Sequence, residues 1–209
     1  MPKETNKVAL LFGCFALSAC ITHVIDPVSP ELHGGSPLRS LQAARICVET
    51  FGNPENLSFF EITVHDWQLK SEPGLFVADA LTSELERNGL SAERSACERK
   101  DQTRIGARLT TFVVRRTDQL FSASYTSVIE AELEVSSCKN NAHLLNKTYQ
   151  GHATDEIVRP SGGVFLSFSD WDEMIKIFIT QGISSLIKDI TFDPEFVEAL
   201  KKGEKFCNP

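Results

Sequence analysis

The chain has no CxxC pair among its six cysteines and no HxxxH pair among its five histidines. A zinc ribbon or thioredoxin-like site would use the first pattern, and a histidine-borne metal site the second. GxSxG, P-loop and GxGxxG patterns are missing too, which removes the usual sequence basis for a serine nucleophile elbow, a phosphate cradle or a dinucleotide turn. Basic residues are in short supply: 21 Lys and Arg stand against 28 Asp and Glu, a net charge of −7. Such a balance argues against nucleic acid, which calls for a basic footprint, and equally against lying flat on anionic lipid. The apolar run at 8–17 is short of the roughly 20 residues that cross a bilayer core. No internal repeat or low-complexity segment occurs. Hydrophobic residues nonetheless make up 42%, with 14 Phe, enough for one ordinary core rather than a disordered chain.

The short apolar run has a use of its own. Lys3 and Lys7 against Glu4 make a mildly positive start, the uncharged run follows, and small residues close it; these are the parts of a secretory signal. Leu17-Ser18-Ala19-Cys20 resembles the lipobox of bacterial lipoproteins: an aliphatic residue, two small ones, then the cysteine that is acylated. The resemblance implies a signal peptide over 1–19, diacylglycerol (with its palmitate-type chains) on the Cys20 thiol, and Cys20 as the first mature residue. One acyl chain holds a protein only marginally, whereas two or three hold it firmly. Ile21 follows, where the enterobacterial pattern places Asp for inner-membrane retention, so the resemblance implies the outer membrane with the domain facing the periplasm. Two other readings are an ordinary signal peptide and a buried helix. Leu17 stands where an ordinary cut after Ala19 wants a small residue, and Pro-rich sequence follows at once.

Residues 20–43 hold Pro27, Pro30, Gly34, Gly35 and Pro37 with little periodicity, and read as a lipidated terminus and flexible tether with a reach of about 25–30 Å. The domain is expected over 44–209. Residues 44–51 form a strand. Phe60, Ile62 and Val64 alternate with polar residues as a second strand. Residues 71–74 make a turn, and Val77, Ala78, Leu81 and Leu85 form the apolar face of a helix over 75–88. Asn88-Gly89-Leu90 ends it with a left-handed glycine. Three strands follow, at 104–116, 124–135 and 145–157. Ile105, Ala107, Leu109, Thr111 and Val113 share one parity of the first. In the second, Ile129, Ala131, Leu133 and Val135 alternate with Glu130, Glu132 and Glu134, so one face is wet. Asp170 or Ser169 caps a long helix running to about 190, with Glu173 placed to complete a capping box with Asp170, and a short helix follows from Asp193-Pro194 to about Lys201. The fold class is α+β: a single antiparallel sheet of about five strands, with two long helices packed on one face. Leu81, Leu85, Leu133, Phe178 and Leu186 are expected to be buried together.

Cys47, Cys97, Cys138 and Cys207 remain once Cys14 leaves with the signal and Cys20 takes lipid, an even number for an oxidising compartment. With a hairpin turning at 119–121, opposed residue numbers sum to about 240, so Cys138 faces a residue near 102 and Cys97 lies just upstream. This register leads to Cys97–Cys138, which leaves Cys47 for Cys207; simple burial of some of the four is the other reading.

The strand, strand, helix, three-strand meander, helix order resembles the YajG-type bacterial envelope lipoproteins. The matching features are the lipobox with its spacer, a helix ending in Glu86-Arg87-Asn88-Gly89-Leu90, strands leading to Tyr149-x-Gly151, and a closing helix running into Lys188-Asp189-Ile190 and then Phe196-Val197. They span roughly 75–200; the four domain cysteines and the second strand depart from the pattern. Similar small lipoproteins serve as accessory parts of envelope transport systems.

No catalytic or metal-binding set stands out, and no cofactor is implied. His65-Asp66 is an adjacent acid–imidazole pair, but neighbours on a strand point to opposite faces. Glu130, Glu132 and Glu134 read as a solvated face, since alternate carboxylates lie about 7 Å apart along a strand. Ser161-Gly162-Gly163 reads as a loop. Val164, Phe165, Leu166 and Phe168 after it either cover the edge of the core or form an apolar lip for a partner protein or an acyl chain. The chain is therefore read as non-enzymatic: a membrane-anchored accessory or scaffolding protein for an envelope complex, with no nucleic-acid partner. The alternative is a module that binds lipid or a small hydrophobe between helices and sheet.

Overall fold

The computed structural model describes residues 21–25, 37–41, 45–53, 58–59, 65–69, 72–97, 101–118, 122–138, 142–158 and 168–207. Its strands are β1 (Ile21–Ile25), β2 (Arg45–Val48), β3 (Ser58–Phe59), β4 (His65–Leu69), β5 (Ser91–Arg94), β6 (Thr103–Asp118), β7 (Ser122–Ser136) and β8 (His143–Val158). Its helices are α1 (Pro73–Arg87), α2 (Phe168–Phe192) and α3 (Pro194–Cys207), with a 3-10 turn at Pro37–Ser40. The main sheet runs β5-β2-β6-β7-β8, with β3 also paired to β6; β1 and β4 form a separate parallel pair. The expected 60–64 strand lies outside the described residues.

The sheet is mixed, a correction to the antiparallel expectation. β6, β7 and β8 form the antiparallel meander, but β2 lies parallel to both β5 and β6. The reason is β5, a four-residue strand with one buried residue, Ala92. One buried position offers no alternation to read. The chain leaves β2, crosses through α1 and returns as β5 in the same direction, as parallel pairing requires.

The meander register is the one expected: Arg104 faces Ser136 and Leu109 faces Ala131. Thr110 is then an extra residue, and Thr111 faces Glu130. This bulge reverses the parity of the rest of β6. Phe112 and Val114 are therefore buried like Ile105 and Leu109, whereas Thr111 and Val113, which share the parity of Ile105 and Leu109 in uninterrupted alternation, are half-buried.

α1 starts with Pro73 at its first turn rather than after a 71–74 turn, where a missing N–H costs nothing. Asn53 supplies the cap: its Oδ1 accepts from the Gly74 N–H at 2.9 Å, and its Nδ2 donates to Glu72 at 3.0 Å. At the other end Gly89 has φ +90°. Leu90 N–H donates to the Leu85 carbonyl, and Gly89 N–H to that of Glu86, the paired bonds of a left-handed helix stop.

One buried cluster takes side chains from all three helices and from one parity of the strands, and it contains Leu81, Leu85, Leu133, Phe178 and Leu186 together. α2 lies directly on β7 and β8. A Cβ at Gly151 would fall on the Gly182 carbonyl oxygen, and one at Gly182 on Ser127 Oγ. Beside this close approach Tyr125 stacks on Phe178, ring centroids 5.2 Å apart. α2 also reaches the edge of β8: Gln150 N–H donates to Asp189 Oδ2 at 3.4 Å and His152 N–H to Ser185 Oγ at 3.2 Å.

The domain begins earlier than residue 44. Leu38 and Leu41 are 0% and 2% exposed in the same cluster, and Ile21–Ile25 pairs with His65–Leu69. Pro and Gly content suggested a tether, but two leucines three apart on a 3-10 turn share one side, and burying each contributes about 1.5–3 kcal/mol. α2 starts at Phe168, ahead of Asp170, so Asp170 is in its first turn rather than preceding it, and Phe168 belongs to the helix rather than a loop. α3 continues past Lys201 to Cys207. Among the described residues, no helix is long and apolar enough to cross a membrane.

Candidate functional site

The parity of β7 opposite the core carries Glu130, Glu132 and Glu134, each half-buried. Cross-strand neighbours are fixed by register: Arg108 faces Glu132, Gly106 faces Glu134 and Arg104 faces Ser136 on one side, while Gln150 faces Glu130 and Asn146 faces Glu134 on the other. Opposite charges so placed attract across the strands. Arg108 meets Glu132 at 3.3 Å, His143 Nδ1 meets Glu134 at 2.6 Å, and Arg104 meets Glu49 at 2.6 Å. Glu130 accepts from Thr111 Oγ1 at 2.6 Å and from Gln150 Nε2 at 3.0 Å. The three glutamates expected to be merely solvated are thus each engaged by a neighbour.

Glu132 and Glu134, though not Glu130, line a groove of about 500 Å³ together with Glu49, Arg104, Gly106, Arg108, Ser136 and His143. Gly106 leaves the hollow, with the Glu49 carboxylate beside it. Two guanidinium groups meet three carboxylates and an imidazole here. Every acid has a partner, so the surface is polar and close to neutral. It can dock a polar surface of mixed charge. Among the described residues, no three His, Cys, Asp or Glu are grouped to hold a metal ion.

A second polar cluster sits where α2 passes into α3. Asp193 Oδ2 accepts from Tyr149 at 2.6 Å and from Lys147 at 3.0 Å, and Oδ1 accepts from the Glu195 N–H at 3.1 Å. Lys147 also reaches Glu195 at 3.4 Å. Burial pushes the Asp193 carboxyl up, but hydrogen bonds from Tyr149, the Glu195 N–H and Lys147 outweigh it and hold the group below the usual carboxylate range. Burial, and then the bond to Asp193, pushes the Tyr149 hydroxyl up. The Asp193 hydrogen bond likewise raises Lys147 against the cost of burial. Asp193 was legible as a helix start, from Asp193-Pro194. Its partners were not, because Lys147 and Tyr149 reach it from a strand more than forty residues earlier.

The cysteines pair as Cys47–Cys97 and Cys138–Cys207, not as Cys97–Cys138 and Cys47–Cys207. The hairpin register behind the expected pairing is right; the strand order was incomplete. β5 carries Cys97 to the far side of β2, so it meets Cys47 there. α3, longer than expected, brings Cys207 to Cys138. Cys97 has φ 53°, rare for a residue with a side chain. Its N–H donates to Ser95 Oγ at 3.2 Å, and the bridge anchors it.

Cys20 and the Val164, Phe165 and Leu166 loop lie outside the described residues, as do the side chains of Phe168, His65 and Asp66. The interior expected to hold a lipid in the alternative reading is packed where α2 meets β7 and β8, with Gly151 against Gly182 and Tyr125 against Phe178.

No family model matches the chain, and no curated protein matches it. Among solved structures it is similar to a Xanthomonas campestris protein assigned to the family DUF330, at 8% identity over 87% of this chain and 99% of that one, with a TM-score of 0.49. It is similar to a minor lipoprotein from Acinetobacter baumannii, at 10% identity over 72% of this chain and 90% of that one, with a TM-score of 0.41. It is also similar to a homologue of a neuraminyllactose-binding hemagglutinin from Helicobacter pylori, at 15% identity over 77% of this chain and 94% of that one, with a TM-score of 0.37.

Proposed function

We propose that this chain is a YajG-type bacterial lipoprotein of the cell envelope, held in the outer membrane by acyl chains on Cys20 and facing the periplasm, with a non-enzymatic accessory or scaffolding role. The observation that carries the reading is the bookkeeping of the cysteines. All four that follow Cys20 are bridged in pairs, which suits an exported protein; of the two before them, Cys14 leaves with the proposed signal peptide and Cys20 is the last residue of the lipobox-like stretch. In this reading the helices cover one face of the sheet and the groove face is offered to a partner protein. Its charges satisfy one another in the free protein, so they favour a polar, exchangeable contact over a permanent apolar one.

The anchor is tested by Cys20→Ser in the full-length chain. The expected product keeps residues 1–19, takes up no labelled palmitate and leaves the outer-membrane fraction. Normal processing and wild-type fractionation of this variant would reject the anchor. The scaffolding role is tested separately, with the charge reversals Arg108→Glu and Glu132→Lys in the lipidated protein. Each is expected to lose a protein that co-purifies with wild type under mild detergent. Retention of all co-purifying proteins by both would remove the groove from the account.

A further inference from the structure

The two bridges differ in their surroundings. Cys47 and Cys97 are 0% and 6% exposed, and Ser95 Oγ lies 3.0 Å from the Cys47 sulfur. Cys138, at the turn after β7, and Cys207, at the end of α3, are both half-buried. Thiol–disulfide exchange needs a thiolate to reach a sulfur, so access decides which bridge reacts first in the folded protein.

α3 is also unevenly held. Its first half buries Phe196, Val197, Ala199 and Leu200, and Asp193, Tyr149 and Lys147 fix its start. Over 201–207 the one buried residue is Gly203, packed against Thr103, while Lys202, Lys205 and Phe206 are exposed. Beyond that contact, the bridge to Cys138 and a 3.8 Å approach of Thr103 Oγ1 to the Cys207 sulfur hold the second half.

From this asymmetry we infer that Cys138–Cys207 is a thiol-exchange site, open to an external dithiol in the native fold, and that opening it releases residues 201–207 while the Asp193 end of α3 stays seated. In the first step a thiolate of the dithiol attacks one sulfur of the bridge. The protein S–S bond breaks, a mixed disulfide forms, and the other cysteine leaves as a thiolate. The second thiol of the reagent, after losing its proton, then attacks the mixed disulfide. Both protein cysteines end as thiols and the dithiol ends as its cyclic or linked disulfide, so two electrons pass from reagent to protein. The inference concerns the folded domain alone and stands apart from the anchor and scaffolding reading.

The test uses the oxidised mature protein with dithiothreitol as the dithiol, without denaturant. Thiols are trapped with iodoacetamide at intervals, located by peptide mass spectrometry, and followed in parallel by amide hydrogen exchange. The expected result is alkylated Cys138 and Cys207 while Cys47 and Cys97 remain joined, with loss of protection confined to 201–207. Labelling of Cys47 and Cys97 first or at the same rate would overturn the inference. So would unchanged protection at 201–207 once Cys138 and Cys207 are free. The double variant C138S/C207S gives an independent readout. It should fold and show the same loss at 201–207 without reagent; global loss of protection would make the bridge a staple of the whole domain and reject the proposal.

Discussion

Asp193 does three jobs with one carboxylate: it caps α3, anchors Tyr149 and receives Lys147. Its side chain is 10% exposed, so the carboxylate itself is largely sheltered from water, and hydrogen bonds to a charged group are stronger than those between neutral groups. The pH consequence has a definite sign. Asp193 sits below its ordinary value of 3.8 in the folded state. A carboxyl depressed on folding stabilises above its unfolded value and loses that stabilisation as pH falls through its folded value. Stability against urea should therefore fall below about pH 4 in the wild-type protein. In Asp193→Asn the cap survives but nothing titrates, so the variant should be less stable at pH 7 and lose less on acidification. Equal acid losses in the two proteins would show that other carboxyls set the slope.

At the scale of elements, the pattern that reads well is the one repeated often enough to have a period. β7 alternates over 124–136, α1 and α2 carry apolar stripes, and Asn88-Gly89-Leu90 stops α1 as its residue types imply. Short or interrupted elements did not read. β5 has one buried residue, the Thr110 bulge reverses half of β6, and Leu38 with Leu41 sits in a stretch whose composition speaks for a linker. In each case tertiary contact decides, and local pattern carries no trace of it. The Leu38 segment makes the sharpest test. Leu38→Ala in the mature protein should cost about 2–5 kcal/mol in denaturant unfolding, as for a buried leucine. A residue of a free tether would show no change. Of the candidate site, the glutamates of β7 were legible from alternation. Their partners on β6 and β8 depend on register and on Gly106, and Glu49 follows β2, a strand that was expected but whose parallel pairing with β6 was not.

For the molecule as a whole, β2 holds the two parts of the chain together: it joins the early segment and β5 to the meander, and Cys47 and Cys97, 50 residues apart, lock that crossover. By chain entropy a loop of this length contributes roughly 4 kcal/mol. The double variant C47S/C97S should lose up to about that amount in denaturant unfolding, with the meander still formed, and peptide mapping of the non-reduced wild type should give Cys47 joined to Cys97. A proposed anchor on Cys20 would add a further condition. Proteins fixed to one membrane leaflet share a thin layer, where they meet at high local concentration. An outer strand with free amides would invite a neighbour's strand, and polymers would grow across the layer. Ser185 and Asp189 already occupy the amides of His152 and Gln150 at the middle of β8. The long edge is broken into shorter pieces, and a crowded film of these molecules can remain a film of monomers.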